Sequence, residues 1–255
     1  MKVREVYDII NSFAPYATQE EYDNSGLNVG DWEAEVTGIL TCVDVSLETI
    51  KEAVSENCNL IVSHHPINFR PVVNLVTSDY VSSVVMEAVK AGVNLLSGHT
   101  NVDKADGGIN DRLAEKLGGY FVKKIPEVDE YARFFKVDTV ELSTFVDEIS
   151  NGIQDDNISS IGQGEVSKVA VVGGAGGDLA LIDYCINNDV VLVTSELKHH
   201  LARMIEDRGG KIIIIGHFTG ERVFIDVIKD LFKIRNVIVK ESKQLTPFNS
   251  IYRKE

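Results

Sequence analysis

The stretch "VTGILTCVDVSLETIKEAVSENCNLIVSHHP", Val36 to Pro66, decides the fold. "VTGILTCVDV" is an apolar run with β-branched residues and reads as a strand. Ser46 is a good helix N-cap, and "SLETIKEAVSEN" behind it reads as a helix. "NLIVS" is the next strand. It ends abruptly in two adjacent histidines, His64 and His65, and then Pro66, which cannot continue a central ladder.

Outward from this unit the same rhythm continues. "DYVSSVVMEAVKAG" places Val81, Val84, Val85, Ala88 and Val89 on one helix face. "VNLLSGH" is a strand, "INDRLAEKLGG" a helix stopped by Gly118 and Gly119, and "YFVKKI" closes this half. The second half runs "YARFFKVD" (strand), "STFVDEISNG" (helix), "SKVAVVGG" (strand), "DLALIDYCINN" (helix). "VVLVTS", "LKHHLARMIEDRG", "KIIIIGH", "GERVFIDVIKDLF" and "IRNVIVKES" extend the alternation. Such alternation implies mostly parallel sheets flanked by helices. The expectation is an α/β protein of two lobes. "KIPEVDEYA", with Pro126, breaks the apolar pattern and marks the boundary. That gives a first lobe over 1–125, a second over 126–233, and a terminal segment 234–255 that can rejoin the first.

The chain has 255 residues and a formal net charge of -14, which repels nucleic-acid phosphates and anionic membranes and so disfavours both as partners. Its three cysteines form no CxxC, which argues against a disulfide framework or a cysteine-rich zinc site. Reduced thiols, no signal-type N-terminus and no long apolar span make the cytoplasm the expected compartment.

The six histidines are not scattered. They occupy four segments at or just past strand ends: "SHHP", "GHTNVD", "SELKHH" and "GHFTGE". In open α/β sheets, ligands bind outside the carboxyl ends of strands. "GHTNVD" sets His99 and Asp103 four apart in a turn-rich loop. "GHFTGE" sets His217 and Glu221 four apart, on one face if helical. A glutamate at a helix N-terminus is ordinary, but a cationic histidine there is not, whereas a neutral metal-bound imidazole is. "TSELKHH" adds Glu196 and His200 as groups for proton transfer or substrate contact, together with His99. Mixed imidazole and carboxylate donors suit zinc, iron, manganese, cobalt or nickel. Two carboxylates able to bridge suggest two ions, and two-metal hydrolases use a bridging water as nucleophile. "VVGGAGGDLA" lacks the spacing of a dinucleotide or P-loop motif and reads as a tight β–α turn. "DNSGLNVGD" reads as a glycine-containing loop.

These segments, with "TCVDVS" and in this order, resemble the GTP cyclohydrolase 1 type 2 homolog family, also called NIF-three-like dinuclear metal-centre proteins. The resemblance covers almost the whole chain, which at 255 residues looks like the family's short form. It implies two similar α/β lobes with a paired metal site between them, assembled as a toroidal homohexamer. It implies that His64 and His65 ligate different metals, that Asp103 ligates one, and that His217 and Glu221 complete the set, with Glu221 bridging. Many members have Thr before that glutamate, where this chain has Gly220. Where Gly is common before the "ELKHH" segment, this chain has Ser195. Both changes keep the ligand spacing. The implied activity is metal-dependent hydrolysis by metal-bound hydroxide of a small molecule, a GTP-like nucleotide or a phosphoester. The alternative is a non-catalytic metal carrier or regulatory protein.

Overall fold

A strand covered on both faces is buried at every position rather than at alternate ones. The runs Ile39–Cys42, Leu60–Ser63, Asn94–Ser97 and Val191–Thr194 behave in this way. The computed structural model describes residues 1–155 and 157–248. Its strands in chain order are β1 (Gly26–Val29), β2 (Ile39–Cys42), β3 (Leu60–Ser63), β4 (Asn94–Ser97), β5 (Tyr120–Ile125) and β6 (Asp129–Glu141). They continue with β7 (Ser159–Ile161), β8 (Glu165–Val172), β9 (Val191–Thr194), β10 (Ile212–Ile214) and β11 (Val239–Glu241).

The chain forms two units, Met1–Gly108 with Phe224–Gln244, and a second centred on Ile109–Val223. The first holds a sheet of order β1-β4-β3-β2-β11. Its pairings are parallel except β1 with β4. Helix Leu47–Ser55 follows β2 and is capped by Ser46, whose hydroxyl accepts from the Thr49 amide. Helix Tyr80–Ala91 follows β3 and ends on Gly92 in the left-handed region. Leu40, Ile50, Ala53, Ile61, Val84, Ala88 and Leu95 form the core between sheet and helices.

The second unit holds a sheet of order β5-β6-β8-β9-β10-β7. Only β8–β9 and β9–β10 are parallel among its described pairings, so this sheet is mixed rather than mostly parallel. The strand Tyr120–Ile125, expected to close the first half, pairs with β6 here. The break at Pro126, expected as the lobe boundary, is the hairpin joining those two strands, closed by the Val128 amide on the Ile125 carbonyl at 2.9 Å. Proline and charge interrupt an apolar pattern in a hairpin as they do in a linker, and the periodicity alone does not separate the two. The division between units falls instead after Gly108. Leu181, Ile182, Leu192, Ile205 and Ile212 centre the second core.

Candidate metal centre

The parallel ladder of β2 and β3 runs on past the strand ends. The His64 amide donates to the Cys42 carbonyl (3.1 Å) and the His65 amide to the Val43 carbonyl (3.0 Å). The Ser63 hydroxyl donates to the His65 carbonyl at 2.8 Å and folds the backbone over itself. Side chains of successive strand residues point to opposite faces, and this turn removes that constraint. The two rings end 4.8 Å apart between centroids.

Each ring is held at Nδ1. His64 Nδ1 lies 3.1 Å from the Gly98 carbonyl. His65 Nδ1 lies 2.8 Å from Asp44 Oδ1. A carbonyl and a carboxylate both accept, so Nδ1 carries the hydrogen and Nε2 keeps its lone pair. His64 Nε2 stands 3.8 Å from Asp103 Oδ1, a separation suited to two donors around one ion rather than to a hydrogen bond. Asp103 sits in the short helix Thr100–Lys104, where its amide donates to the His99 carbonyl at 3.1 Å.

His99 completes a triangle of imidazoles. Its ring centroid is 5.0 Å from that of His64 and 5.3 Å from that of His65. One nitrogen from each of the three lies within 4.8 Å of the others. His99 is therefore placed where it could share an ion with His64 and His65. Its Nδ1 is held by Asp23 Oδ1 at 3.0 Å. The Asp23 side chain is fully buried. It also accepts from the Thr100 amide and hydroxyl, the Ser25 hydroxyl and the Asn24 amide. Burial raises its carboxyl, but the hydrogen bonds from His99 and Thr100, the His99 charge and the Asn24 amide outweigh that and hold it well below the usual carboxylate range.

The second unit carries the other candidates. The Ile215 amide donates to the Thr194 carbonyl at 3.0 Å and extends the β9–β10 ladder. Gly216 then turns with φ +76° into the helix His217–Glu221. His217 Nε2 and Glu221 Oε2 come within 3.0 Å on one helix face. His217 Nδ1 is held by Glu196 Oε1 at 2.7 Å, so Glu196 orients an imidazole. Glu221 is buried. His200 is exposed in the first turn of helix His199–Asp207.

Three groups escaped the sequence reading. Asp44 and Asp23 lie in "TCVDVS" and "DNSGLNVGD", the second read only as a loop. Their signal is an aspartate in a loop at the same end of the sheet as the histidines. Gly174 lies in the turn read as a simple β–α connection. A Cβ on Gly174 would stand 2.2 Å from Glu221 Oε1, and its φ is +61°. The glycine leaves the space that the carboxylate fills.

The donor chemistry fits divalent transition metals. His64 and His65 each present Nε2 with Nδ1 anchored on an oxygen acceptor, the outer-shell arrangement that fixes a metal-binding tautomer, and His217 has a carboxylate at each ring nitrogen. Asp103 and Glu221 add oxygen donors beside His64 and His217.

Fold and site together define a class: an α/β protein of two units with imidazole and carboxylate donors at the ends of its parallel strands. The family model for Duf34/NIF3 (NGG1p interacting factor 3) matches residues 1–246, and the chain belongs to that family. A Clostridium perfringens protein named "GTP cyclohydrolase 1 type 2 homolog" is 32% identical, over 98% of this chain and 100% of its own length. Staphylococcus aureus protein SA1388 superposes with a TM-score of 0.88 at 24% identity, over 98% of this chain and 99% of that one. Reduced HcgD from Methanocaldococcus jannaschii superposes with a TM-score of 0.83 at 26% identity, over 96% and 98%.

Proposed function

We propose that this protein is a dinuclear metal-dependent hydrolase of a small molecule, with His64, His65, Asp103, His217 and Glu221 as donors to two divalent ions. The observation that carries the reading is the shared anchoring of His64, His65 and His217 at Nδ1. Bound ions would polarise the scissile group and lower the pKa of water at the site. Asp44 keeps His65 in the tautomer that leaves Nε2 basic, and Glu196 orients the His217 ring from its Nδ1 side. His99, with Nδ1–H donated to Asp23, offers Nε2 to take or return a proton. A proton carrier beside the metal donors is what hydrolysis needs beyond the ions themselves, and on that role the catalytic reading is preferred to the carrier one.

Two measurements test the proposal. Elemental analysis of protein loaded with zinc, iron, manganese, cobalt or nickel gives two ions per chain if it holds; no bound ion ends it. Turnover is then screened on GTP and generic phosphoesters. The His65→Ala variant should lose both metal and activity, and activity that survives without metal would assign the chemistry elsewhere.

The proposal includes self-assembly in the cytoplasm. Val73, Leu75, Val76 and Tyr80 expose apolar side chains on one continuous segment, a surface on which further copies would pack. Light scattering on a sizing column gives six copies for a hexamer and one for a monomer.

A further inference from the structure

Ser195 follows β9 directly and is 4% exposed. Its hydroxyl is buried and has no hydrogen-bond partner among the described residues. What matters about this oxygen is the volume it fills. A Cβ placed on Gly220 would meet Ser195 Oγ at 2.2 Å, while Ser195 Cβ would be 3.5 Å away, an ordinary contact. The hydroxyl occupies the volume that a side chain at 220 would need, and one oxygen atom accounts for the conflict.

Gly220 is not in the left-handed region: its amide donates to the Gly216 carbonyl at 3.0 Å inside the helix His217–Glu221. Backbone conformation therefore gives no reason for a glycine, and glycine is a poor helix residue. The neighbour supplies the reason. Gly220 immediately precedes Glu221, whose carboxylate already fits tightly beside Gly174. A shift of the helix away from Ser195 would move that carboxylate.

We infer that Ser195 and Gly220 are a size-matched pair that positions Glu221, with room for a side-chain atom beyond Cβ at 195 only while 220 has none. Ser195 Oγ thus restricts residue 220 to glycine by its volume, and the parent pair leaves Glu221 in place. The inference rests on the reading of Glu221 as a metal donor.

The test is a double-mutant cycle on the full chain with cobalt(II) as the probe. Visible absorption reports the coordination of the ion, a competing chelator its affinity, and thermal unfolding without metal the fold. Gly220→Ala should weaken cobalt binding at least tenfold and alter the absorption band. Ser195→Ala alone should bind as the parent does and unfold no earlier. The double variant Ser195→Ala/Gly220→Ala should recover the parent affinity and spectrum, because deletion of Oγ leaves only the 3.5 Å contact. Gly220→Ala binding like the parent would overturn the pairing, since the hydroxyl would then rotate aside. Equal losses in Gly220→Ala and the double variant would overturn it as well, placing the conflict elsewhere. Failure of the parent protein to bind cobalt would instead remove the donor reading beneath it, and unfolding temperatures that show no rescue across the four proteins would then separately reject the steric pairing.

Discussion

Gly174 and Glu221 share one volume: a Cβ on the glycine would lie 2.2 Å from the carboxylate Oε1 and 3.3 Å from Cδ. The glycine also has φ +61°, where a β-carbon is strained. Gly174→Ala therefore meets two penalties. Conformation alone costs about 1–2 kcal/mol, which urea unfolding will read. Displacement of the Glu221 carboxylate adds a loss of metal affinity that the conformational cost does not explain. Control substitutions Gly92→Ala and Gly118→Ala, also at positive φ but with nothing within 4 Å, should show the first loss and not the second.

Asp44 makes a separable contribution. Its carboxylate fixes His65 through Nδ1, but the side chain is half exposed, so the core does not need it. Its backbone is held independently, the amide donating to Gln244 Oε1 at 3.0 Å and the carbonyl accepting from Gln244 Nε2 at 3.2 Å. Asp44→Ala should weaken metal binding by roughly tenfold to a hundredfold, the usual effect of removing an outer-shell partner. Its unfolding temperature without metal should stay near the parent value. Unchanged affinity in a chelator titration would show that His65 needs no orienting group.

How much of this was legible in the sequence follows from what each signal reports. The strand–helix alternation from Val36 to Pro66 reports local conformation and burial, and the first sheet follows from it. Pro126 reports a chain break but not whether the strands on either side pair, and the β5–β6 pairing is therefore invisible in it. Strand partnership is a long-range property that local pattern does not carry. Among the site candidates, His64 and His65 announce themselves by chemical type at a strand end. His200 has the same chemical credentials, but its side chain is exposed on a helix, where one residue more or less turns a side chain by about a quarter-turn or more. Asp44, Asp23 and Gly174 act through contacts made by folding. An aspartate in a loop or a glycine in a turn has many ordinary explanations until its neighbour is known.

The cysteines give a prediction on the alkaline side. Burial pushes the Cys185 thiol up to about 12 and raises Cys42 further; Cys58 is raised too, again chiefly by burial. The native protein should give no rapid reaction with a disulfide reagent at pH 8, and three thiols should react after denaturation. Because the folded values lie above the unfolded value of about 8.5, the folded state holds protons that the unfolded chain releases. The stability from these groups is complete below that value and declines as pH rises through it toward the folded values. Urea midpoints measured from pH 7 to 10 should fall, and replacing Cys185 with Ala should make the fall shallower.

Asp23 gives the opposite limb and bears on catalysis. Its carboxylate gathers His99, Thr100, Ser25 and Asn24, tying the loop after Thr18 to the segment after β4. Its folded pKa is depressed, so its contribution is present above the unfolded value of about 3.9 and is lost as pH falls below it. Asp23→Asn keeps the shape but not the charge, and its amide nitrogen cannot accept from the donors that surround it. The cost should be on the order of 3 kcal/mol at pH 7, from weakened charge-assisted hydrogen bonds. It should shrink as the parent is acidified towards pH 3. The same substitution frees the His99 ring to rotate and to exchange tautomers. If His99 carries a proton in turnover, Asp23→Asn should reduce kcat on any substrate found in the screen by about a hundredfold, in line with the loss of general acid–base catalysis, while two ions remain bound. A loss of metal in step with activity would instead place His99 among the donors. Elemental analysis and kinetics on the same preparation distinguish these outcomes.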